Sequence, residues 1–586
     1  MDRRVVVTML VMMAFFMAVS YVYPLIFPPP PAPPKEVSAQ GAVGPTLQGG
    51  GVAVTQPQAP QKPQSPDAEV IAEAPAPLPP AAEVVVETPE FTAVFTEEGA
   101  RLKSFKLKKY KAYKMDRNEP DKPQELVNLP KGTAPGESYP LNLVFLNNQN
   151  QEEDLAHFRF QADLTNIDVK EGESATLNFT GVTGNGLSIT RSYTFMAGSY
   201  QISQRVVLKN QGNLLFSGLL GMAIDSWPYS SQQNRYNVMA AYLNNSFVND
   251  SVDDAKGELA DLGIIRQASF LGYMDQYFLS AMIFDDDPSG PTAVGPDGRT
   301  LTVSGAELTS RGVRLTAYRP MSLQPAGEAS YSFDVYYGPK DQKSLEAAGH
   351  QLRRSIDLGW FAFLAKPLAW LLRFFYGFVG NYGVAIILVT ILIKIVLWPL
   401  TAKSYKSMKQ MQKLQPKIMQ LREKYKDDPP TMNKEMLQLY KTFKVSPLGG
   451  CLPMLLQIPF FIAFYRVLDY ALELRGAPFA LWIYDLSAPD RLFHFNFSVP
   501  FVAQPTGIPV LTLLMGATMI WQQKMTPAMG DPMQAKIMML LPIIFIVALL
   551  NMPAGLVLYW LVNNILSIFQ QKLINRPEKE EAPKAL

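Results

Sequence analysis

Long segments without charge dominate the last third of this chain and constrain its fold more than any other feature. They lie at Tyr382 to Leu400, Gly449 to Tyr465, Thr506 to Gln523 and Ile537 to Gln571, and Lys394 is the one charged residue among them. Each of the first three is long enough for a membrane-spanning helix, which needs about 17–25 residues. The fourth is too long for one crossing, and "NMPAG" at residues 551–555 supplies a break between two helices. The pattern predicts a polytopic α-helical membrane core.

The amino-terminal region adds one more apolar segment and a linker. "MDRR" precedes Val5 to Phe27, which carries no charge. The segment is longer than the apolar part of a cleaved signal peptide, so residues 1–27 are predicted to be an uncleaved transmembrane anchor with its arginine end inside. Residues 28–90 are rich in Pro, Ala and Gln and cannot bury a core. This linker is either a passive tether or a docking segment.

Residues 91–345 have the pattern of a β-rich domain. "LSITRSYTF" places Leu187, Ile189, Tyr193 and Phe195 on one face, and similar alternation recurs between Gly, Asn and Pro turns. Many short strands over this length predict a large antiparallel β-sandwich. Its acidic and aromatic residues either line a sugar cleft or are ordinary strand residues.

Charge placement predicts the topology. Residues 401–446 carry 11 Lys/Arg against 4 Asp/Glu, whereas residues 466–507 carry 3 against 4. The positive-inside rule places the first loop in the cytoplasm and the second outside. With the amino terminus inside, the first crossing puts the sandwich outside, so only one further crossing fits before residue 401. We assign it to Tyr382 to Leu400 and predict that residues 357–380 form an amphipathic helix along the outer interface.

The predicted total is six transmembrane helices, with both termini in the cytoplasm. Apolar residues at three- and four-residue steps predict that residues 401–446 form a cytoplasmic helical hairpin. Its basic face is either a solvated surface or a contact for a ribosome or anionic lipid. Residues 572–586 form a short cytoplasmic tail.

Lys394 is the residue that most needs an explanation. A lysine at the centre of a lipid-facing helix costs about 2.5–3.5 kcal/mol on insertion scales. Thr390 lies one turn away on the same side, and the other spans contain the polar residues Gln457, Asn563 and Asn564 but no acid. One interpretation is a lysine that snorkels to an interface. We favour a water-filled cavity, open to the cytoplasm, with Lys394 at its floor.

The sequence contains few residues of the types that catalysis or metal binding requires. The chain has 1 Cys, at position 451, and 3 His, which are far apart. We therefore expect no catalytic residues, no metal site and no cofactor, and we find no Walker-type glycine loop. Two alternatives to a polypeptide-handling function remain: a small-solute transporter, and a membrane-anchored protein that binds or processes glycans through the sandwich.

Six ordered blocks resemble the YidC family of bacterial inner membrane protein insertases in its Gram-negative form. They are "GNYG" (380–383), "LQPKI" (414–418), "SPLGGCLPMLLQIPFF" (446–461), "APFALWIYDLSAPD" (477–490), "DPMQAKIM" (531–538) and "GLVLYWLVNN" (555–564).

The resemblance implies a five-helix insertase core over residues 382–571 with a hydrophilic groove open to the cytoplasm, and a periplasmic sandwich similar to sugar-binding folds. It implies that newly made membrane proteins are the substrates and that the protein works alone or beside the Sec translocon. Lys394 holds the position of the family's groove arginine. Lysine lacks the planar fork of arginine, so it attracts carboxylates without gripping them bidentately. The family's groove and substrate-contact positions correspond to Thr390, Ile458, Phe461, Tyr559 and Trp560.

Overall fold

The described residues belong to one compact unit of the chain. The computed structural model describes residues 81–112, 121–130, 138–149, 151–229, 237–243, 246–251, 264–265, 268–284, 301–308, 312–426, 428–443, 452–495, 497, 499, 502, 506–525 and 532–574. Two units divide the chain, Met1–Pro80 and Ala81–Leu586, and the described residues all fall in the second. The predicted anchor over residues 1–27, residues 28–80 of the predicted linker and the tail from residue 575 lie outside the described residues.

The β-strands of the described part follow one another along the amino-terminal domain, with a last pair between the helices. In chain order they are β1 (Glu83–Glu87), β2 (Phe91–Thr96), β3 (Arg101–Lys111), β4 (Pro123–Glu125), β5 (Asn142–Asn147), β6 (Glu152–Asp154), β7 (Gln161–Ala162), β8 (Asn166–Asp168), β9 (Ser174–Val182), β10 (Leu187–Met196), β11 (Gln201–Asn210), β12 (Phe216–Ser226), β13 (Val238–Leu243), β14 (Ser246–Ser251), β15 (Ile264–Ile265), β16 (Ala268–Met274), β17 (Phe278–Ile283), β18 (Leu301–Leu308), β19 (Gly312–Leu323), β20 (Glu328–Ser332), β21 (Asp334–Pro339), β22 (Leu492–Phe495) and β23 (Thr506–Ile508).

Within the described residues, three sheets build the amino-terminal domain. Their strand orders are β4-β3-β2-β1-β8, β14-β13-β16-β17-β21-β11-β10-β9-β7 and β15-β18-β19-β12-β5-β6, with β20 paired to β11. Strands β1 and β8 pair in parallel, and the long neighbours such as β10 and β11 pair antiparallel. One continuous hydrophobic core takes residues from all three sheets. The β-rich domain predicted from the sequence is present.

Strand alternation explains how the sheets pack. On β10, every second residue from Leu187 to Phe195 is buried, as a half-buried strand requires. The ring of Phe95 on β2 lies 4.7 Å from Tyr193 and 6.3 Å from Phe179, which joins the first sheet to the second. Arg191 occupies an inward position on β10, and its guanidinium donates to the Leu141 carbonyl at 2.6 Å. This hydrogen bond offsets part of the cost of burying the charge.

The domain is longer at both ends than the predicted range of 91–345. Strand β1 lies inside the predicted linker, and it pairs with β2 over its whole length, so the linker ends before Glu83 rather than at residue 90. Val84 and Val86 of this strand are buried in the core, whereas Val85 between them is only partly buried. At the other end, helix α1 (Gln342–Ala348) begins at an Asp341 cap and buries Leu345 in the same core.

The helices of the described carboxyl-terminal part are α2 (Ala362–Val379), α3 (Tyr382–Lys424), α4 (Pro429–Thr442), α5 (Leu452–Tyr470), α6 (Val510–Met525), α7 (Pro532–Leu549) and α8 (Ala554–Ile574). Helices α7 and α8 are separated at residues 550–553, where the sequence predicts a break. Among the described helices, α2 and α3 are long and apolar enough to cross a membrane by length and composition. The count of six crossings and the interfacial placement of residues 357–380 stay predictions.

Helix α3 joins two elements that the sequence analysis separated. It runs for 43 residues without a break and contains Pro399 and Pro416. The predicted crossing that ends at Leu400 and the first helix of the predicted hairpin are therefore one helix. Its second half packs against α4, where Tyr440 contacts the pair Met411 and Leu414.

Polar contacts connect the β-rich domain to the helices. Gln276, between β16 and β17, donates to the carbonyl and carboxylate of Asp469 in the last turn of α5. The charge-free segment predicted for this span ends at Tyr465, but α5 extends to Tyr470, so Asp469 lies within the helix. Arg475 donates to the Gln124 side-chain oxygen at 2.6 Å. These hydrogen bonds fix the end of α5 against the strands.

Lys340 lies buried at the same junction. Its ammonium donates to the Asp275 carbonyl at 3.0 Å and lies 5.3 Å from the centre of the Tyr470 ring. Burial lowers the pKa of Lys340 to about 8, although the nearby carboxylates of Asp275, Asp469 and Asp357 oppose the change.

Candidate functional site

Lys394 lies between α3 and α8 rather than on the lipid-facing side of α3. Its side chain is 8% exposed, and its ammonium donates to the Ser567 hydroxyl at 2.7 Å. Among the described residues, no carboxylate forms an ion pair with it. Ser567 in turn donates to the Asn563 carbonyl one turn earlier at 2.8 Å. A full charge is therefore held inside the bundle by a neutral partner.

Further polar contacts continue from Lys394 along the same helix pair. Gln570 on α8 donates to the Thr401 hydroxyl on α3 at 2.7 Å, and both side chains are buried. We call Lys394, Thr401, Ser567 and Gln570 the polar seam. It runs from the middle of α3 toward the lysine-rich half of that helix.

The other predicted polar residues, Thr390, Gln457, Asn563 and Asn564, lie outside the polar seam. Thr390 is buried and donates to the Ile386 carbonyl of its own helix at 2.7 Å, so it makes no bond to Lys394. Gln457 on α5 donates to the Asn563 side chain. Asn564 is buried and faces the other way, toward the Thr518 hydroxyl on α6 at 3.3 Å.

Sequence reasoning missed Thr401, Ser567 and Gln570. Serine and threonine are common in helices, so composition gives no signal for them. Spacing gives one: Asn563 and Ser567 are four residues apart, and Lys394 and Thr401 are seven apart, so each pair lies on one helix face. Two polar stripes on two apolar helices predict a buried contact between them.

The predicted apolar contact residues form an aromatic cluster beside the polar seam. We define it as Phe461, Phe545, Tyr559 and Trp560. The Trp560 ring lies 4.6 Å from Phe461 and 5.0 Å from Phe545, which joins α5, α7 and α8. Tyr559 is 2% exposed and packs on Phe464 at 5.1 Å, so it is a core residue of the bundle. Ile458 lies half-buried on α5, one turn before Phe461.

The outer faces of the helices are apolar while the interior holds the polar groups. Exposed apolar side chains include Ile395, Val396, Leu513, Leu514, Ile543, Val547, Ile565 and Phe569. Buried polar side chains include Lys394, Asn564 and Gln570. This distribution is the reverse of that in a water-soluble bundle and suits helices whose outer faces contact lipid.

A loop ties the opposite end of the bundle together. We call residues 477–491 the outer staple. Phe479 packs on the first turn of α3, where a Cβ at Gly383 would lie 2.1 Å from its ring, and its carbonyl accepts from the Asn381 side chain at 3.0 Å. Asp490 accepts from the Trp482 indole at 2.5 Å and from the backbone of Leu511 at the start of α6.

The same loop also holds the turn between α7 and α8. The Leu486 carbonyl accepts from Gly555 at 2.8 Å, and the Ala488 carbonyl accepts from Ala554 at 2.7 Å. Arg491 donates to the Leu550 carbonyl at 2.9 Å. The outer staple thus connects the starts of α3, α6 and α8 at the end of the bundle that is remote from the lysine-rich half of α3.

Two family models match the chain, and together they cover most of it. Residues 83–371 match the YidC periplasmic domain, and residues 374–581 match the 60Kd inner membrane protein family. The boundary between the two matches falls within α2.

Relatives match over nearly the full length. The chain is 39% identical to the membrane protein insertase YidC of Geobacter metallireducens, covering 98% of each chain. It is 38% identical to the membrane protein insertase YidC of Pelobacter propionicus, covering 98% of this chain and 99% of that one. A crystal structure of an active YidC insertase with its first transmembrane domain resolved shares 17% identity over 85% of this chain and 95% of that chain, with a TM-score of 0.34.

Proposed function

Since the chain belongs to the YidC family of membrane protein insertases, we propose that the polar seam is the path by which a polypeptide enters from the cytoplasm. The protein is a multi-pass inner membrane insertase with a periplasmic domain, and it is not an enzyme. Its substrates are newly made membrane proteins. The proposal concerns how the helices handle them.

The burial of Lys394 against a neutral partner carries this proposal. No buried carboxylate among the described residues neutralises the charge of this ammonium, so it attracts the carboxylates of an arriving polypeptide. The hydrogen bonds of the polar seam are replaceable, because a polypeptide or water offers the same donors and acceptors. When α3 and α8 separate along the polar seam, water enters between them and forms a hydrated groove with Lys394 at its deep end.

The two ends of the bundle differ in a way that gives the groove a direction. The outer staple joins the starts of α3, α6 and α8 through backbone and side-chain hydrogen bonds. In contrast, the described contacts between α3 and α8 beyond Lys394 are single side-chain bonds such as Thr401 with Gln570. Separation of α3 and α8 therefore costs less free energy on the side of the lysine-rich half of α3, which the charge distribution predicts to be cytoplasmic.

The aromatic cluster gives the apolar part of a substrate a surface to follow. Trp560 is half-buried, and Phe461 beside it is half-buried as well. Rings that are already packed lose little side-chain entropy when a transmembrane segment replaces lipid against them. We propose Ile458, Phe461 and Trp560 as substrate contacts, with Tyr559 supporting them from the core. Thr390, Gln457, Asn563 and Asn564 supply the polar surroundings.

The helical hairpin of α4 and the second half of α3 suits an anionic partner. Its cations include Lys417, whose ammonium lies 4.5 Å from the centre of the Phe443 ring. We propose that the hairpin is cytoplasmic, that it contacts a translating ribosome or anionic lipid, and that the chain works alone or beside the Sec translocon. Both termini are proposed to be cytoplasmic.

Exchange of Lys394 tests the groove proposal. In cells depleted of the native protein, Lys394→Ala should impair integration of substrates with acidic translocated tails most, because attraction to the tail is lost. Lys394→Arg should be tolerated, since the charge is kept. Substrates whose tails have been neutralised are the matched control. If the Ala variant integrates acidic tails as well as the native chain does, the charge has no part in insertion.

Contact with a nascent chain tests the path itself. A photoreactive residue at position 560 should crosslink to a ribosome-bound membrane protein, and one at position 396, on the exposed face of α3, should crosslink to lipid. Equal nascent-chain yields at the two positions would contradict the proposed path.

A further inference from the structure

Four of the most exposed large apolar side chains of the described chain lie in connections next to the helices. Trp360 is 90% exposed, Leu481 is 81%, Phe493 is 68% and Phe497 is 62%. We call these four residues the outer rim. All four lie in connections between helices: Trp360 precedes α2, and the others lie between α5 and α6. A water-soluble surface seldom exposes large apolar side chains to this extent.

The backbone conformation at two of these residues favours the exposure of their side chains. Leu481 has φ 56° and Phe493 has φ 54°, both in the left-handed region that bulky residues avoid. Phe493 lies at the point where the pairing of β22 and β23 shifts register, so it is a bulge residue. Strained positions persist where the surrounding structure enforces them, and they cluster at functional sites. Each loop thus holds a large apolar group outward at a conformational cost.

The rigid surroundings of the outer rim explain how the strain is maintained. Next to Leu481, the Trp482 indole donates to Asp490, which also accepts from the first turn of α6. Beside Phe493, Thr506 on β23 donates to the carbonyls of Phe495 and Phe497 at 2.7 Å each. These bonds fix the two apolar side chains at the end of the helical bundle.

The outer rim is continuous with the lipid-facing surface of the helices, and this continuity indicates that lipid covers the outer rim. Ile508 pairs with Leu492, adjacent to Phe493, and it is 37% exposed. Five residues later, Leu513 and Leu514 on α6 are 48% and 47% exposed. The exposed apolar surface therefore passes from α6 directly onto the hairpin of β22 and β23, with one short connection between them.

We propose that the outer rim is a membrane-contact surface that inserts into the periplasmic leaflet at the level of the lipid headgroups and upper acyl chains. Tryptophan suits this zone because its ring is amphipathic, and phenylalanine and leucine suit it because their apolar side chains enter the boundary between headgroups and acyl chains. The outer rim holds the end of the bundle at a fixed depth. This inference concerns lipid contact and is independent of how substrates are inserted.

Spin labels at single cysteines test the proposal in the full chain. Because the chain has 1 cysteine, Cys451→Ser gives a background without cysteine. Labels are placed by Phe493→Cys, Leu481→Cys and, as a further position on the same hairpin, Phe497→Cys. The protein is reconstituted into vesicles of phosphatidylcholine and phosphatidylglycerol. Relaxation by oxygen, which concentrates in lipid, is compared with relaxation by a water-soluble nickel chelate.

Two control positions give the ratios expected for a lipid-exposed label and for a water-exposed label. Val396→Cys reports the lipid-facing side of α3, where Val396 is 63% exposed. Leu214→Cys reports an equally apolar loop, where Leu214 is 78% exposed. Leu214 precedes β12, whose 11 residues separate it from Tyr229, the partner of Gln124 at the helical junction. At about 3.3 Å per residue, that strand places Leu214 roughly 35 Å from the junction.

The proposal predicts a ratio of oxygen to nickel relaxation at 481, 493 and 497 at least three-fold above that at 214 and below that at 396. In detergent-free vesicles, intermediate ratios at these three positions mean that the labels contact lipid near the membrane surface. Ratios at all three positions equal to that at 214 would overturn the proposal and leave the surface to a protein partner. Ratios equal to that at 396 would overturn the headgroup-level placement.

Discussion

Removal of the Ser567 hydroxyl tests whether that group holds the Lys394 ammonium. A hydrogen bond to a charged group contributes about 1.5–3 kcal/mol, and Ser567 is the neutral partner of the ammonium at 2.7 Å. We expect Ser567→Ala to lower the free energy of unfolding by about 2 kcal/mol, since the ammonium stays buried without that partner. Lys394→Met should be neutral or stabilising by about 1 kcal/mol, because the insertion cost of a central lysine slightly exceeds what the hydrogen bond returns.

A double-mutant cycle isolates this interaction. In the Lys394→Met background, Ser567→Ala should cost about 0.5 kcal/mol, because it loses only hydrogen bonds with neutral groups, the Asn563 carbonyl and the Tyr405 side chain. The coupling free energy should therefore be about 1.5 kcal/mol. Thr390→Val is the matched control: Thr390 is equally buried one turn away but bonds only its own helix, so it should show no coupling to Lys394.

Unfolding of the reconstituted chain in bicelles by a denaturing detergent, followed by circular dichroism, measures the three single variants and the two double variants with Lys394→Met. A coupling below about 0.5 kcal/mol for Ser567 would mean that the ammonium is solvated rather than held by the hydroxyl. A coupling for Thr390 as large as that for Ser567 would mean that the effect is general disruption of α3.

Further predictions concern the outer staple and the junction. Gly383→Ala should destabilise the bundle by about 1–3 kcal/mol, because the new Cβ would lie 2.1 Å from the Phe479 ring. In contrast, a Cβ at Gly377 would meet nothing within 4 Å, so Gly377→Ala should stabilise α2 by about 0.5–1 kcal/mol. Thermal unfolding of both variants measures the two changes. For Lys340, the folded pKa of about 8 lies below the ordinary 10.5, so the unfolded state binds more protons between these values and stability should rise with pH above 8. Urea unfolding at pH 7.5 and 9.5 should show this rise in the native chain and lose it in Lys340→Met; an unchanged slope would place the titrating group elsewhere.

Much of the fold is predictable from the sequence because its periodicities are strong. Alternation along β10 and the break at residues 550–553 both appear where they are expected. Strand β1 was missed because its three valines follow directly on a proline-rich run and are too few to show alternation. The length of α3 was also underestimated, because the predicted crossing ends at Leu400, where the apolar run gives way to a lysine-rich segment, whereas the helix continues to Lys424.

The site was predictable only in part. A lone lysine in an apolar run is conspicuous, so Lys394 was identified, and its burial agrees with the expectation that it avoids lipid. Its partner Ser567 is 173 residues away in sequence and has an ordinary side chain for a helix. The outer staple was missed for the same reason: contacts such as Asn381 with Phe479 join residues that no local pattern relates.

The most direct test of the groove is the reactivity of a thiol at position 394. In the Cys451→Ser background, Lys394→Cys should react with a membrane-impermeant maleimide applied from the cytoplasmic side of inverted vesicles, and at least ten-fold more slowly from the periplasmic side, which the outer staple closes. Val396→Cys, on the lipid face, should react slowly from both sides. A thiol at 394 that is as unreactive from the cytoplasm as the thiol at 396 would contradict the account, since no water would then reach the charge that the insertion path requires.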